Sequence, residues 1–213
     1  GEVVVVTLGP KECETTLRAM LATGADRAIR IEADDDQLDG NVVALALKAI
    51  VDKEKPDFVL MGKQAVDGDT NQVGQFLAEY LGWPMATAAA TIVEEAGALH
   101  VGREVDGGVI NLKVKAPGLV TVDLRITAPT SVYSSQTKRD FKYNDGVRFA
   151  PLPAIMKAKK KPLDVLKLGD LVADTSLRVI YKKFEPPQGR KAGVKVKDVA
   201  ELVDKLKNEA KVI

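Results

Sequence analysis

The sequence predicts an α/β fold: a doubly wound, mostly parallel sheet with an antiparallel hairpin and an extended C-terminal arm. Three observations predict it. Short β-branched runs alternate with segments of helical periodicity from Val3 to Leu81; two later strand-like runs are separated only by Asp106-Gly107-Gly108; and the stretch after Leu163 is charged and thin in apolar residues. Strand and helix in alternation imply right-handed crossovers on a parallel sheet with helices on both faces.

Residues 3–7 form a β-branched run ended by Gly9-Pro10, which reads as a strand buried on both faces. A helix over 12–23 places Leu17, Met20 and Leu21 at helical spacing, and Gly24 is its C-terminal cap before a strand at 28–32. Asn41 is the expected cap of a second helix reaching Lys53, with Val42, Leu45, Ala46, Ala49 and Ile50 on one face; Pro56 stops it, and 57–61 is the next buried strand. A helix over 71–81 turns Val73, Phe76, Leu77 and Tyr80 inward and ends at Gly82-Trp83-Pro84. Strands follow at 87–93, 99–105 and 109–114, the last two joined by a glycine-bearing hairpin turn, and then at 119–124. The polar stretch from Ile126 to Phe149, with Ser131, Ser134, Ser135, Gln136, Asn144 and Gly146, reads as a surface excursion. After it come a short amphipathic helical segment at 152–161 with a basic end, a strand at 177–181 and a charged helix at 198–210. That tail needs another surface to pack on.

Composition excludes several classes. Lys+Arg 31 against Asp+Glu 30 leaves a net charge of +1, which removes the electrostatic basis of bulk nucleic-acid binding. The single Cys13 and single His100 rule out an internal disulfide and a Cys/His metal site, and fit a reducing compartment. No run reaches the roughly 18 apolar residues of a membrane span, so a soluble chain without membrane insertion is expected. Gly1 leads directly into an apolar run with neither Met nor a basic segment, so no signal peptide is visible and the start reads as cut.

One segment stands out as a binding site. Gly62-Lys63-Gln64-Ala65-Val66-Asp67-Gly68-Asp69-Thr70-Asn71-Gln72 leaves the carboxyl end of a buried strand and enters a helix. Ligands of open parallel sheets sit beyond the strand carboxyl ends, and free amides at a helix start attract phosphate. With Thr70 or Asp69 as the cap, the amides of Asn71, Gln72 and Val73 would face a phosphate. The alternative, that Asp67, Asp69 and Thr70 only cap a helix and Gly68 eases a turn, stands equally on spacing alone. The segment is neither a Walker loop nor GxGxxG, so periodicity does not name the ligand. Asp34-Asp35-Asp36 lacks the spacing of a chelating loop, Cys13 has no catalytic or resolving partner nearby in sequence, and no triad is present. A self-contained hydrolase is disfavoured.

The residues from Asp57 to Gln75, Gly102-Arg-Glu-Val-Asp-Gly-Gly108, Leu152-Pro-Ala-Ile-Met-Lys-Ala-Lys-Lys-Lys161 and Ala192-Gly-Val-Lys-Val196 together resemble the β subunit of electron transfer flavoprotein. The resemblance runs over nearly the whole chain. It implies a Rossmann-like, adenine-nucleotide-binding α/β domain at 1–150, and a recognition loop with a partner-packing arm at 151–213. It also implies a heterodimer with an α subunit, an FAD held chiefly by α, and an AMP buried in β. Such a carrier takes electrons from acyl-CoA dehydrogenases and other flavoprotein dehydrogenases and passes them to a quinone oxidoreductase. It works in the bacterial cytoplasm or, in a eukaryote, the mitochondrial matrix, and is not an enzyme acting alone. On this resemblance Met61 through Gln72 form the AMP loop, with Leu8 near the adenine or ribose. Leu152 matches the anchoring leucine of the recognition loop, Pro153, Ile155 and Met156 belong to the same contact, and Lys157 and Lys160 flank it.

The family begins with an additional strand, helix and loop that do not precede Gly1, and the excursion over 130–150 is longer than its pattern. Two other readings are carried forward: a bifurcating-type β subunit with a second FAD in place of AMP, and a nucleotide-binding stress or sensor domain with no redox role. Burial of Leu152, Ile155 and Met156 in the chain's own core is the plain alternative to a recognition loop.

Overall fold

The structure is a computed structural model that describes residues 1–134, 146–189 and 192–213. Its strands, in chain order, are β1 (Val4–Gly9), β2 (Arg27–Glu32), β3 (Phe58–Gly62), β4 (Met85–Glu95), β5 (Ala98–Val105), β6 (Gly108–Lys115), β7 (Gly118–Val122), β8 (Val132–Tyr133) and β9 (Leu163–Lys167). The helices are α1 (Cys13–Thr23), α2 (Gly40–Glu54), α3 (Val73–Leu81), α4 (Leu152–Ala158), α5 (Leu168–Leu171) and α6 (Val199–Asp204). The chain divides into two units, Gly1–Val179 and Ile180–Ile213.

In the first unit the expected α/β alternation is present. The β-branched run of β1 pairs in parallel with β2, from Val4 opposite Arg27 to Gly9 opposite Glu32, with α1 as the crossover. Gly24 ends α1 at a φ of 138°, a backbone region that glycine enters without strain. On its other side β2 takes β9 in parallel, so this sheet runs β1-β2-β9. The strand expected at 177–181 does not form. Its amides at Arg178 and Val179 donate to the carboxylate of Asp39 instead of a neighbouring strand, and β9 supplies the third strand from an earlier segment.

The second sheet runs β3-β7-β4-β5-β6, with β8 beside β4. Pairs β3–β7, β4–β7 and β4–β8 are parallel, and β4–β5–β6 form an antiparallel meander. At the β5–β6 hairpin Gly107 adopts a φ of 85°, the role its glycine predicts. The outer edges of β1 and β3 are unpaired among the described residues.

Helix α2 joins the two sheets. Val42, Ala46 and Ile50 pack with Ile29 and Ile31 of β2, while Ala44 enters a second cluster with Leu77 and Ala78 of α3 and Leu119 of β7. A fully buried leucine of this kind contributes about 1.5–3 kcal/mol. The cap of α2 is Asp39, accepting from the Val42 amide at 2.8 Å, and not the expected Asn41, whose side chain accepts from the Tyr80 hydroxyl at 2.6 Å.

The expected excursion after Ile126 is partly ordered into the fold. Residues Leu124–Thr127 form a 3-10 turn, Ser131 is buried with its hydroxyl donating to the Arg125 carbonyl, and β8 pairs with β4. The Gly146 amide donates to the Thr127 carbonyl at 3.3 Å and Phe149 is exposed, while residues 135–145, including Ser135, Gln136 and Asn144, lie outside the described residues. In the second unit Asp198 caps α6, which continues as a π-helical turn over Lys205–Glu209. Tyr181 and Phe184 stack at 5.5 Å between ring centroids, and both remain exposed.

Candidate functional site

The loop from Lys63 to Gln72 leaves the carboxyl end of β3 and feeds α3, where an open parallel sheet places its ligands. Residues 64–72 are all exposed. A few internal bonds shape the loop. The Asp69 amide donates to the Ala65 carbonyl at 3.0 Å, the Gly68 amide to the Asp67 carboxylate at 2.7 Å, and the Gln64 side-chain amide to Asp69. Asp69 and Asn71 adopt left-handed φ values of 50° and 48°, a conformation that short polar side chains tolerate best.

The start of α3 takes no cap from this loop. The helix begins at Val73, two residues later than its periodicity predicts, and its N-cap residue Gln72 makes no side-chain capping bond. Neither Asp69 nor Thr70 serves as the cap. The first-turn amides of Val73, Gly74 and Gln75 are therefore the ones left without a side-chain acceptor, in place of Asn71 to Val73. Gly40 at the start of α2 adjoins them: a Cβ there would stand 3.6 Å from Oε1 of Gln72. Two helix N-termini thus meet at one place, each carrying about half a positive charge, although Asp39 occupies that of α2.

Gly74 sets how closely α3 approaches the sheet. A Cβ at this position would lie 2.6 Å from Cγ2 of Thr121 and 3.2 Å from both Sδ of Met61 and Cε of Met85. Met61 is half-buried among these residues. Leu8 is placed differently: it packs partly into the core of the first sheet with Ile31 and Val42, whereas the loop belongs to the second.

A polar cluster absent from the sequence reading closes the base of the loop. Nζ of Lys63 donates to Oδ2 of Asp123 at 2.6 Å, and the Lys63 amide donates to the Val122 carbonyl at 3.0 Å. The other carboxylate oxygen of Asp123 accepts from the Arg125 amide at 3.1 Å, and the Asp123 amide donates to the Ala89 carbonyl at 2.9 Å. Arg125 also pairs with Glu104. The Lys63 ammonium, helped by the Arg125 amide, holds the Asp123 carboxyl below the usual carboxylate range against the opposing effect of burial. Beside it β4 bulges between Ala86 and Ala89, with Ala88 at a φ of 53° and its amide donating to the buried Thr121 hydroxyl. Asp123 carries no local signal beyond standing at the end of a strand; its partner is sixty positions away in the chain.

The second candidate region is α4. Leu152 is 71% exposed, and Pro153, Ile155, Met156, Lys157 and Lys160 also face outward. The inner side of the helix is secured by Ala158, which is 1% exposed, and by Arg18, whose Nη1 donates to the carbonyls of Ala158 and Lys161. Lys161 reaches across to the carbonyls of Leu21 and Ala25. Leu152, Ile155 and Met156 are not packed together in the chain's own core. A shallow recess of about 500 Å³, lined by Lys48, Asp57, Tyr80, Trp83 and Pro117 among others, lies at the opposite, amino end of β3 and takes in neither region.

Comparison with known proteins gives this arrangement its family. The family model for the electron transfer flavoprotein domain matches residues 1–171. A Bradyrhizobium diazoefficiens protein named electron transfer flavoprotein subunit beta is 46% identical over 212 residues, covering all of this chain and 78% of its own length. The chain belongs to the electron transfer flavoprotein β-subunit family. The human protein of that name is 43% identical over 209 residues, covering 97% of this chain and 75% of its own length. The mitochondrial β subunit of Arabidopsis thaliana is 43% identical over 215 residues, covering 100% and 78%. A β subunit of an electron transfer flavoprotein is part of an electron carrier and implies an α partner. Among the described residues, no helix is long and apolar enough to cross a membrane.

Proposed function

We propose that this β subunit works in a heterodimer that carries one FAD, held chiefly by its α partner, and one AMP, held by the loop from Met61 to Gln72 with Leu8 at its edge. The carrier takes electrons from acyl-CoA dehydrogenases and related flavoprotein dehydrogenases and gives them to a quinone oxidoreductase. Its place is the bacterial cytoplasm, or the mitochondrial matrix in a eukaryote. Residues 1–150 form the nucleotide-binding domain, and 151–213 supply the recognition loop and an arm for the partner.

The observation that carries this reading is α4, which presents an apolar tip to solvent on a helix whose inner side is fixed. Leu152, Pro153, Ile155 and Met156 make a small anchor, and Lys157 and Lys160 surround it with positive charge. An anchor of this size gives modest affinity, while the lysines steer an acidic partner surface and raise the on-rate. A shuttle needs both fast capture and fast release. FAD supplies the electron transfer itself, and the protein's part is to bind and present it.

The fit of AMP rests on the uncapped first turn of α3. Amides of Val73 to Gln75 suit a phosphate, Gly74 lets the helix start sit tightly against β7, and the left-handed Asp69 and Asn71 turn the exposed loop around that point. Acid release of nucleotides from the purified assembly tests it. One FAD and one AMP per αβ pair are expected. Two FAD and no AMP would assign the bifurcating branch, and no nucleotide at all would sink the loop assignment.

A further inference from the structure

We propose that Asp123 is a positioning residue for the nucleotide loop: acting through Lys63, it fixes the point at which the loop leaves β3, and Lys63 is a strut and not the charge partner of a phosphate. The proposal rests on the reading of this loop as a nucleotide site, and it assigns the lysine a role that its place in the loop would not suggest.

The geometry carries the argument. Lys63 is tied at both ends to the terminus of β7, by its amide to the Val122 carbonyl and by its ammonium to Asp123. Asp123 is itself fixed from three sides. Its second carboxylate oxygen accepts from Arg125, its amide donates to Ala89 of the bulged strand, and its side chain is only 12% exposed. The charges close within the cluster: Lys63 with Asp123, and Arg125 with Glu104. Among these four side chains the two positive charges balance the two negative ones. A phosphate that drew Lys63 away would strand a largely buried carboxylate, which is costly. Phosphate binding therefore falls to the backbone amides at the start of α3, which have no such competitor.

Loop entry and exit are then secured separately, by the Lys63–Asp123 brace at β3 and by the Gly74 contact at α3. Between them lie nine exposed residues, 64–72, with few bonds of their own. A slack entry point would let the whole stretch drift, weakening every contact to a nucleotide and not only those to its phosphate.

The test uses the protein in the assembly in which it is isolated, stripped of nucleotide, with Asp123→Asn, Lys63→Met, the double variant and Lys63→Arg. The first readout is amide hydrogen exchange, which needs no ligand. Asp123→Asn and Lys63→Met should both speed exchange over residues 63–72 while leaving α2 at the wild-type rate. Unchanged exchange in the near-isosteric Asp123→Asn would overturn the brace, whatever the loop binds.

The second readout is the dissociation constant for AMP and for adenosine. Each single variant should weaken both ligands by the same factor, about tenfold, with the double variant no worse and Lys63→Arg close to wild type. A Lys63→Met variant that loses AMP alone, beside an Asp123→Asn variant with wild-type binding, would make Lys63 a phosphate ligand and defeat the proposal. The charged groups paired with Asp123 are Lys63, just after β3, and Arg125 of its own turn; Glu104 of β5 stands behind Arg125, and Arg103 of β5 lies opposite Ala89, the acceptor of the Asp123 amide. Wild-type affinity should thus fall in acid as Asp123 is protonated, and Lys63→Met should lack that limb. Exchange that responds as described in a wild-type protein that binds neither ligand would sustain the brace and refute the nucleotide reading alone.

Discussion

At Gly74 the first turn of α3 lies so close to β7 that a methyl group has no free volume: Thr121 is fully buried and its hydroxyl is engaged by the Ala88 amide. Alanine is the better helix former by about 1 kcal/mol, but overpacking against a fixed side chain costs about 1–3 kcal/mol, so the contact decides the sign. Gly74→Ala should lower the denaturant midpoint and reduce retained AMP; a wild-type midpoint would show that the helix can shift without cost. Asp39 makes a different kind of contact, accepting from Val42 on one oxygen and from Arg178 and Val179 on the other. Burial alone would raise its carboxyl, yet the amides of Val42, Arg178, Val179 and Asn41 together hold it below the ordinary value. A carboxyl depressed in the folded state adds stability that is present above its unfolded pKa, about 4, and lost as pH falls through the depressed value. Asp39→Asn should therefore cost about 1–3 kcal/mol near neutral pH and flatten the acid limb of a stability–pH curve below about pH 4. An unaltered limb would count against this assignment. Asp123 was not legible in the sequence, since its partner is 60 positions away, and for Asp39 only the capping bond to Val42 is local, while the bonds from Arg178 and Val179 come from 139 and 140 positions away. The loop from Gly62 to Gln72 was legible, because strand end, turn residues and helix start are contiguous.

At the scale of elements, periodicity located the strands and helices around the parallel core, and local polar competition moved their ends. The start of α3 slid from 71 to 73 because Asn71 adopts a left-handed φ that a helix interior does not accept. The strand expected at 177–181 was displaced by β9, whose Leu163, Val165 and Leu166 are interrupted by Asp164 and therefore read weakly. Helix α4 shows the limit of patterning. Its apolar residues are compatible with a core helix or with an exposed anchor, and only the packing of Ala158 against α1 and the outward Leu152 separate the two. Leu152→Ala should leave the unfolding midpoint and flavin content unchanged, because it removes no core volume, while slowing electron uptake from a dehydrogenase roughly tenfold. A clear loss of stability in this variant would return α4 to the core.

At the scale of the whole molecule, α2 is the piece that makes one body of the first unit, since its two faces serve the cores of different sheets. The described residues of the second unit form no such core. Ile180, Phe184, Val194 and Val199 are exposed within it, and among its described residues no side chain is buried. Thin apolar content after Leu163 made that legible from sequence as an arm in need of a surface, although nothing in its pattern named the surface. The central claim is that this chain is half of a flavin carrier, and isolating it from its native cell with a mild affinity tag tests that most directly. A yellow complex of two unlike subunits, with one FAD per pair that an acyl-CoA dehydrogenase and its substrate bleach, is the expected result. A colourless homodimer that no dehydrogenase can reduce would contradict the account.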